Sequence, residues 1–149
     1  MSTQSPTHVQ TAERTEQGGL LRAAAITGGA AIVGNLAVWA IASAAVDVPD
    51  RFTPLQPGSV VFMTVLGVLL ATGAARVLAG RSARPVETFR KLIPVALVVS
   101  LIPDVLIWAS DGYEGAAKAE TVLPLMAMHV IAAAAVWVLL APAARSSKR

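Results

Sequence analysis

The sequence contains no cysteine among its 149 residues. Disulfide exchange, thiolate metal ligation and catalysis by a cysteine nucleophile are therefore excluded. The same absence removes one class of small four-helix membrane protein from consideration, the quinone-linked disulfide oxidoreductases.

Charge is also scarce, since 14% of the residues are charged against roughly 25% in an ordinary soluble domain. The chain is 55% hydrophobic, and its mean hydropathy is +0.64. A soluble domain this small must cover most of its exterior with polar side chains. A disordered chain is excluded by this hydrophobicity, and a nucleic-acid-binding domain by scattered Lys and Arg residues with a net charge of only +3. The composition indicates an integral membrane protein.

Four apolar segments are long enough to cross a bilayer. Residues 23–46, 52–75 and 121–144 are uncharged stretches of 24 residues each, and about 20 apolar residues span a ~30 Å hydrocarbon core. A further segment contains Asp104, which costs about 2.5 to 3.5 kcal/mol to insert, but Leu, Ile and Val each contribute roughly 0.3 to 0.6 kcal/mol in favour. Eleven such residues surround it. The sequence therefore predicts an all-α, four-transmembrane-helix antiparallel bundle, with spans at about 23–46, 59–80, 92–110 and 121–144.

The flanking charges predict the orientation. Ten of the 12 Lys and Arg residues lie on one side, that is before the first span, around the connection of the second and third spans, or after the fourth. The positive-inside rule then places both termini in the cytoplasm of a multi-pass protein of the bacterial cytoplasmic (inner) membrane. We expect residues 1–19 to form a disordered cytoplasmic tail, residues 20–144 the membrane domain and residues 145–149 a basic cytoplasmic tail. A cleaved signal ending at Ala42-Ser43-Ala44 is disfavoured, because the apolar stretch before it is too long.

Three polar residues lie inside the predicted spans, namely Asn35, Asp104 and His129. Counted from the outer boundary at 1.5 Å per residue, Asp104 lies roughly 9 Å deep, His129 roughly 12 Å and Asn35 roughly 16 Å. A short loop joins the third and fourth spans, which must then be antiparallel neighbours. We therefore expect Asp104 and His129 to be in contact, and the three residues to form an intramembrane polar cluster for binding or proton handling.

Each of these residues also has a structural interpretation. Asn35 in a glycine-rich helix is typical of an interhelical hydrogen bond, and His129 alone is typical of a packing histidine. Asp104 is an expensive group at this depth, so it indicates either function or a pair that fixes the helix register. One Asp and one His do not make a zinc site, and neither a nucleophile elbow nor a phosphate-binding loop is present, so no catalytic residue, cofactor or metal site is predicted.

Several short motifs resemble those of a known family. Asn35 and Trp39 in the first span, Ile102-Pro103-Asp104 in the third and the segment from Leu125 to Val130 in the fourth are similar to the uncharacterised actinobacterial membrane proteins grouped as domain of unknown function 6069. The resemblance covers roughly residues 20–142. It implies a four-helix membrane protein, carries over only Asn35, Asp104 and His129, and implies no activity.

On function, the sequence favours a non-enzymatic structural or accessory membrane component. Its expected partners are the lipid bilayer and a second copy or another membrane protein, with no nucleic acid. The alternative is a small proton-coupled transporter or ligand-binding membrane protein that uses Asp104 and His129. Small multidrug transporters have a Glu in their first helix, where this chain has Asn35, which weakens that alternative. An intramembrane enzyme is a third class, for which no nucleophile or metal set is found.

Overall fold

The structure is a computed structural model that describes the backbone of residues 6–145 and the side chains of residues 18–145. It contains four long helices: α1 (Pro6–Ala45), α2 (Pro57–Arg81), α3 (Pro85–Ala109) and α4 (Ala119–Ala135). A π-helical turn, Val136–Leu140, and a 3-10 turn, Ala141–Ala143, continue α4. Each of the four is long and apolar enough to cross a membrane. The predicted all-α architecture with four spans is confirmed.

The first helix begins earlier than the sequence predicted. Residues 6–19, which we expected to be disordered, are helical and continue without a break into the apolar part of α1. Pro6 is the first residue of α1, where its missing N–H costs nothing, and α1 contains no other proline that would interrupt it. The remaining residues of the predicted tails, 1–5 and 146–149, lie outside the described part of the chain.

The helices form a ring in which neighbours along the chain run antiparallel. α1 packs against α2 and α4, and α3 packs against the same two helices. The connections 46–56 and 110–118 lie together at one end of the ring, here called the two-loop end. The connection 82–84 and the chain beyond α4 lie at the other end, here called the terminal end.

Two apolar clusters hold the ends of the ring together. The two-loop cluster joins both connections to α2 and α4, and comprises Phe52, Leu55, Val60, Ala116, Ala117, Val122, Leu125 and Met128. The terminal cluster joins α2, α3 and the chain after α4, and comprises Ala75, Phe89, Ile93, Val136, Leu140, Ala141 and Ala144. The large apolar side chains left exposed are spread over all four helices, as expected where lipid rather than water is the solvent.

A left-handed turn closes the two-loop end. Asp111, Tyr113 and Glu114 have φ values of 50°, 55° and 56°, a conformation that costs a residue other than glycine about 1 kcal/mol or more. Tyr113 packs edge-on against Phe52, with ring centroids 5.3 Å apart and an interplanar angle of 74°. This contact ties the two connections together.

Gly34 on α1 packs directly against a side chain of α4. A Cβ atom added to Gly34 would lie 2.7 Å from Ile131 Cγ2, whereas nothing lies within 4 Å of the same position at Gly29. Small residues at helix contacts are the usual means of close packing in a membrane, because burial from lipid gains no hydrophobic free energy.

We predict that Gly34→Ala destabilises the protein, because the new methyl group overlaps Ile131 and overpacking costs about 1 to 3 kcal/mol. Thermal unfolding in one detergent measures this, with Gly29→Ala as the matched control that should melt at or above the wild-type temperature. Adding Ile131→Ala to Gly34→Ala should make the glycine substitution less costly. Equal melting temperatures for the two single glycine variants would contradict the packing described.

Candidate functional site: a polar layer between the apolar clusters

Each of the four helices carries at least one polar residue between the two apolar clusters, and one from each helix is grouped with the others here. We call this set the polar layer. Along the chain, each member lies between a residue packed in the two-loop cluster and one packed in the terminal cluster. The members are Asn35 on α1, Thr64 on α2, Asp104 on α3 and His129 on α4.

Asp104 and His129 are in contact. Asp104 Oδ2 lies 3.3 Å from His129 Nδ1 across the boundary between α3 and α4. Asp104 is buried, with 6% of its surface accessible, whereas 35% of the His129 side chain is accessible. The acid is therefore shielded, and the imidazole beside it reaches the surface of the bundle.

The contact between Asp104 and His129 is not a formed hydrogen bond. His129 Nδ1 lies 2.9 Å from the carbonyl oxygen of Leu125, and a carbonyl only accepts, so Nδ1 carries the proton and donates it there. Asp104 Oδ2 is close to the same nitrogen, but it remains without a hydrogen-bond partner. In the neutral ring, Nε2 is then the nitrogen without a proton.

Asn35 does not bond to either of these residues. Its Nδ2 donates to Thr64 Oγ1 at 2.8 Å, and Thr64 Oγ1 donates to the carbonyl of Val60 at 2.6 Å. This chain links α1 to α2, so the structure divides the three predicted residues between two interhelical contacts. Sequence reasoning did not identify Thr64; its only signal is its place in a buried stripe at four-residue spacing with Val60 and Val68.

The two polar contacts lie at nearly the same depth. Gly34 faces Ile131 across the contact between α1 and α4. Asn35 is the next residue after Gly34, and His129 is two residues from Ile131, which is about 3 Å along the helix axis. Because α1 and α4 run in opposite directions, these steps bring Asn35 and His129 within roughly one helical turn of each other in depth.

Three buried polar atoms have no hydrogen-bond partner among the described residues: Thr27 Oγ1, Asn35 Oδ1 and Asp104 Oδ2. Two of them belong to the polar layer, and both are oxygens that accept. An unpaired buried acceptor costs about 1 to 3 kcal/mol. The polar layer therefore carries an energetic cost, and in return it retains oxygens that can accept a proton or a hydrogen bond.

A family model described as a family of unknown function, DUF6069, matches residues 15–146. The chain belongs to this family. The resemblance inferred from the motifs around Asn35, Asp104 and His129 is thereby confirmed. No curated protein and no solved structure matches the chain.

Membership of DUF6069 assigns no activity, because the family is defined as one of unknown function. What this DUF6069 protein does must therefore be inferred from its own polar layer.

We predict that Asn35 and Thr64 stabilise the bundle jointly. Asn35→Ala and Thr64→Val should show a coupling free energy of about 0.6 kcal/mol, and at most about 1.7 kcal/mol, the range measured for interhelical polar contacts in membranes. A double-mutant cycle measured by reversible unfolding in detergent gives this value. Thr72→Val is the matched control, because the Thr72 hydroxyl donates only to Val68 of its own helix. A coupling with Thr72 as large as that with Thr64 would contradict the pairing.

Proposed function

We propose that this protein is a small proton-coupled transporter or ligand-binding membrane protein in which Asp104 and His129 share an exchangeable proton. One observation carries the proposal: the buried Asp104 Oδ2 lies 3.3 Å from His129 Nδ1 without forming a hydrogen bond to it. The same pair, taken from the sequence alone, fits a structural role equally well. The unpaired oxygen favours proton handling.

A pair retained only for stability should satisfy its buried atoms, because buried polar groups are almost always hydrogen-bonded. Interhelical polar contacts contribute about 0.6 kcal/mol on average, less than the cost of leaving a buried acceptor unpaired. The contact between Asp104 and His129 therefore contributes little to the stability of the bundle. An acceptor kept beside a protonatable ring does have value for moving a proton.

The geometry suggests a relay through the imidazole. A proton that binds at Nε2 makes the ring cationic, and the proton on Nδ1 then has two nearby acceptors, the Leu125 carbonyl and Asp104 Oδ2. Transfer to Oδ2 leaves a neutral ring and a neutral carboxyl group. The ring has then taken up one proton at Nε2 and passed one from Nδ1 to the buried acid, and the reverse sequence releases it.

We further propose that the terminal end faces the cytoplasm of a bacterial inner membrane. Among residues 18–145 the terminal end has one carboxylate, Glu87, and seven cations: Arg22, Arg76, Arg81, Arg84, Arg90, Lys91 and Arg145. The two-loop end has two cations, Arg51 and Lys118. This asymmetry is the one that the positive-inside rule associates with a cytoplasmic terminal end.

We predict that Asp104→Asn removes the contribution of one buried carboxyl group from the pH-dependent infrared spectrum. The wild-type protein in lipid should show a carboxylic acid component from Asp104 that changes between acidic and alkaline buffer, because Asp104 gains and loses a proton over this change of pH. The variant should lack this component, while the exposed acids contribute equally to both spectra. Asp111→Asn is the matched control, since Asp111 is an exposed acid at the two-loop end and asparagine tolerates its left-handed backbone.

Vesicles that contain a pH-sensitive dye provide the second measurement. Wild-type protein should accelerate proton equilibration relative to empty vesicles, Asp104→Asn should not, and Asp111→Asn should behave as wild type. Identical traces for wild type and Asp104→Asn, together with an unchanged infrared band, would overturn the proposal.

The second candidate is a non-enzymatic structural or accessory component. It is favoured by the short connections 46–56, 82–84 and 110–118, which leave little surface outside the membrane. In this case the protein acts by contacting a second copy or another membrane protein.

For this candidate, we expect a stable complex in mild detergent. Blue native electrophoresis should show a species larger than one chain, and mass spectrometry should identify its components. Asp104→Asn should leave that species intact, because the acid lies inside one copy. A clean monomer without co-purifying protein would exclude this candidate.

A further inference from the structure

Arg90 is held against an aromatic ring at the terminal end. Its Cζ atom lies 5.9 Å from the centroid of the Trp137 ring, across the boundary between α3 and the chain that continues α4. Both side chains are exposed. A guanidinium group at this distance is attracted by the ring quadrupole, so Arg90 has a preferred position rather than a free choice of rotamers.

Arg90 has no acidic partner among residues 18–145. The one carboxylate of its helix turn, Glu87, contacts Lys91 at 2.8 Å and Arg84 at 3.5 Å. Those two contacts partly neutralise both neighbouring cations. The positive charge of Arg90 is left uncompensated, and in the described part of the chain its guanidinium donates no hydrogen bond to protein.

A departure from regular helix positions the ring. Trp137 lies in the π-helical turn Val136–Leu140, where Ala141 N–H donates to the carbonyl of Val136 five residues earlier. Pro142 has no N–H to offer the carbonyl of Val138, so the regular ladder cannot continue through this turn. Such π turns occur frequently at functional sites, because the extra residue redirects the side chains around it.

We propose that Arg90 and Trp137 form a binding site for the phosphate group of an anionic phospholipid. The guanidinium presents a fork of N–H donors that matches the oxygens of a phosphate. The indole lies near the end of an apolar span, six residues before Ala143, and tryptophan is enriched where spans approach the membrane interface. The seven cations of the terminal end attract anions towards this position and repel cationic ligands.

This site is independent of the proposed proton exchange. On α3, Arg90 precedes Asp104 by 14 residues, about 21 Å along a helix. An experiment can therefore disprove headgroup binding at the terminal end without disproving proton exchange at the polar layer. The converse also holds.

Native mass spectrometry tests the site. The full chain in a zwitterionic detergent is titrated with a short-chain phosphatidylglycerol, and the occupancy of one lipid per chain is counted. We expect saturable binding that Arg90→Gln weakens about fivefold, the loss associated with one cation at a membrane surface. Trp137→Leu should also weaken binding, whereas Trp137→Phe, which keeps an aromatic face, should retain more of it.

Arg81→Gln is the matched control, because it removes one exposed cation from the same end but from α2. It should leave the affinity within about twofold of wild type. Circular dichroism and melting temperature of each variant establish that the bundle is intact, which is expected since Arg90 and Trp137 are exposed.

Three outcomes would overturn the proposal. Equal losses for Arg81→Gln and Arg90→Gln would mean a diffuse positive field without a site. Equal binding of phosphatidylcholine of the same chain length would mean that the anionic charge is not recognised. Equal competition by inorganic phosphate would mean a site for a soluble anion and not for a lipid.

Discussion

A carboxyl group buried between apolar helices needs a neighbour that can share its proton or balance its charge, and this requirement limits how α3 can lie against α4 even though the contact adds little stability. Asp104 meets it with His129 at 3.3 Å. The two helices have to be adjacent, antiparallel and aligned in depth for the contact to form. The connection 110–118 fulfils that condition by turning the chain through several left-handed residues, a strained solution that keeps the loop short.

The bundle is also layered along its length. Apolar clusters occupy both ends, where connections and helix ends converge, and the polar layer lies between them. In lipid, apolar contacts alone do not drive helices together, so close approach at small residues and polar contacts have to specify which helices meet. Gly34 against Ile131 supplies the first for α1 and α4, and Asn35 with Thr64 supplies the second for α1 and α2.

The sequence predicted the number and position of the helices because uncharged stretches of membrane length are a strong signal. It also predicted that Asp104 and His129 would meet, since a short connection limits where the two residues can lie. It did not predict the partner of Asn35. Thr64 gives no signal in the sequence, because a hydroxyl group in a helix can always bond to its own backbone. Its role depends on how α2 is rotated about its axis, which turns the Thr64 hydroxyl towards Asn35 so that it accepts from the amide. The helical start of α1 was missed because polar composition indicates solvation and does not by itself exclude a helix.

The π-helical turn after α4 has a consequence for the two faces of that chain. An added residue within a helix shifts everything after it by about 100° around the axis. His129 precedes the turn, Leu140 is its last residue and Ala144 follows it. The turn therefore separates two rotational settings of the fourth span. One places His129 against Asp104, and the other buries the end of the chain against Phe89. Shortening the turn by one residue would rotate one of these surfaces by about 100° relative to the other.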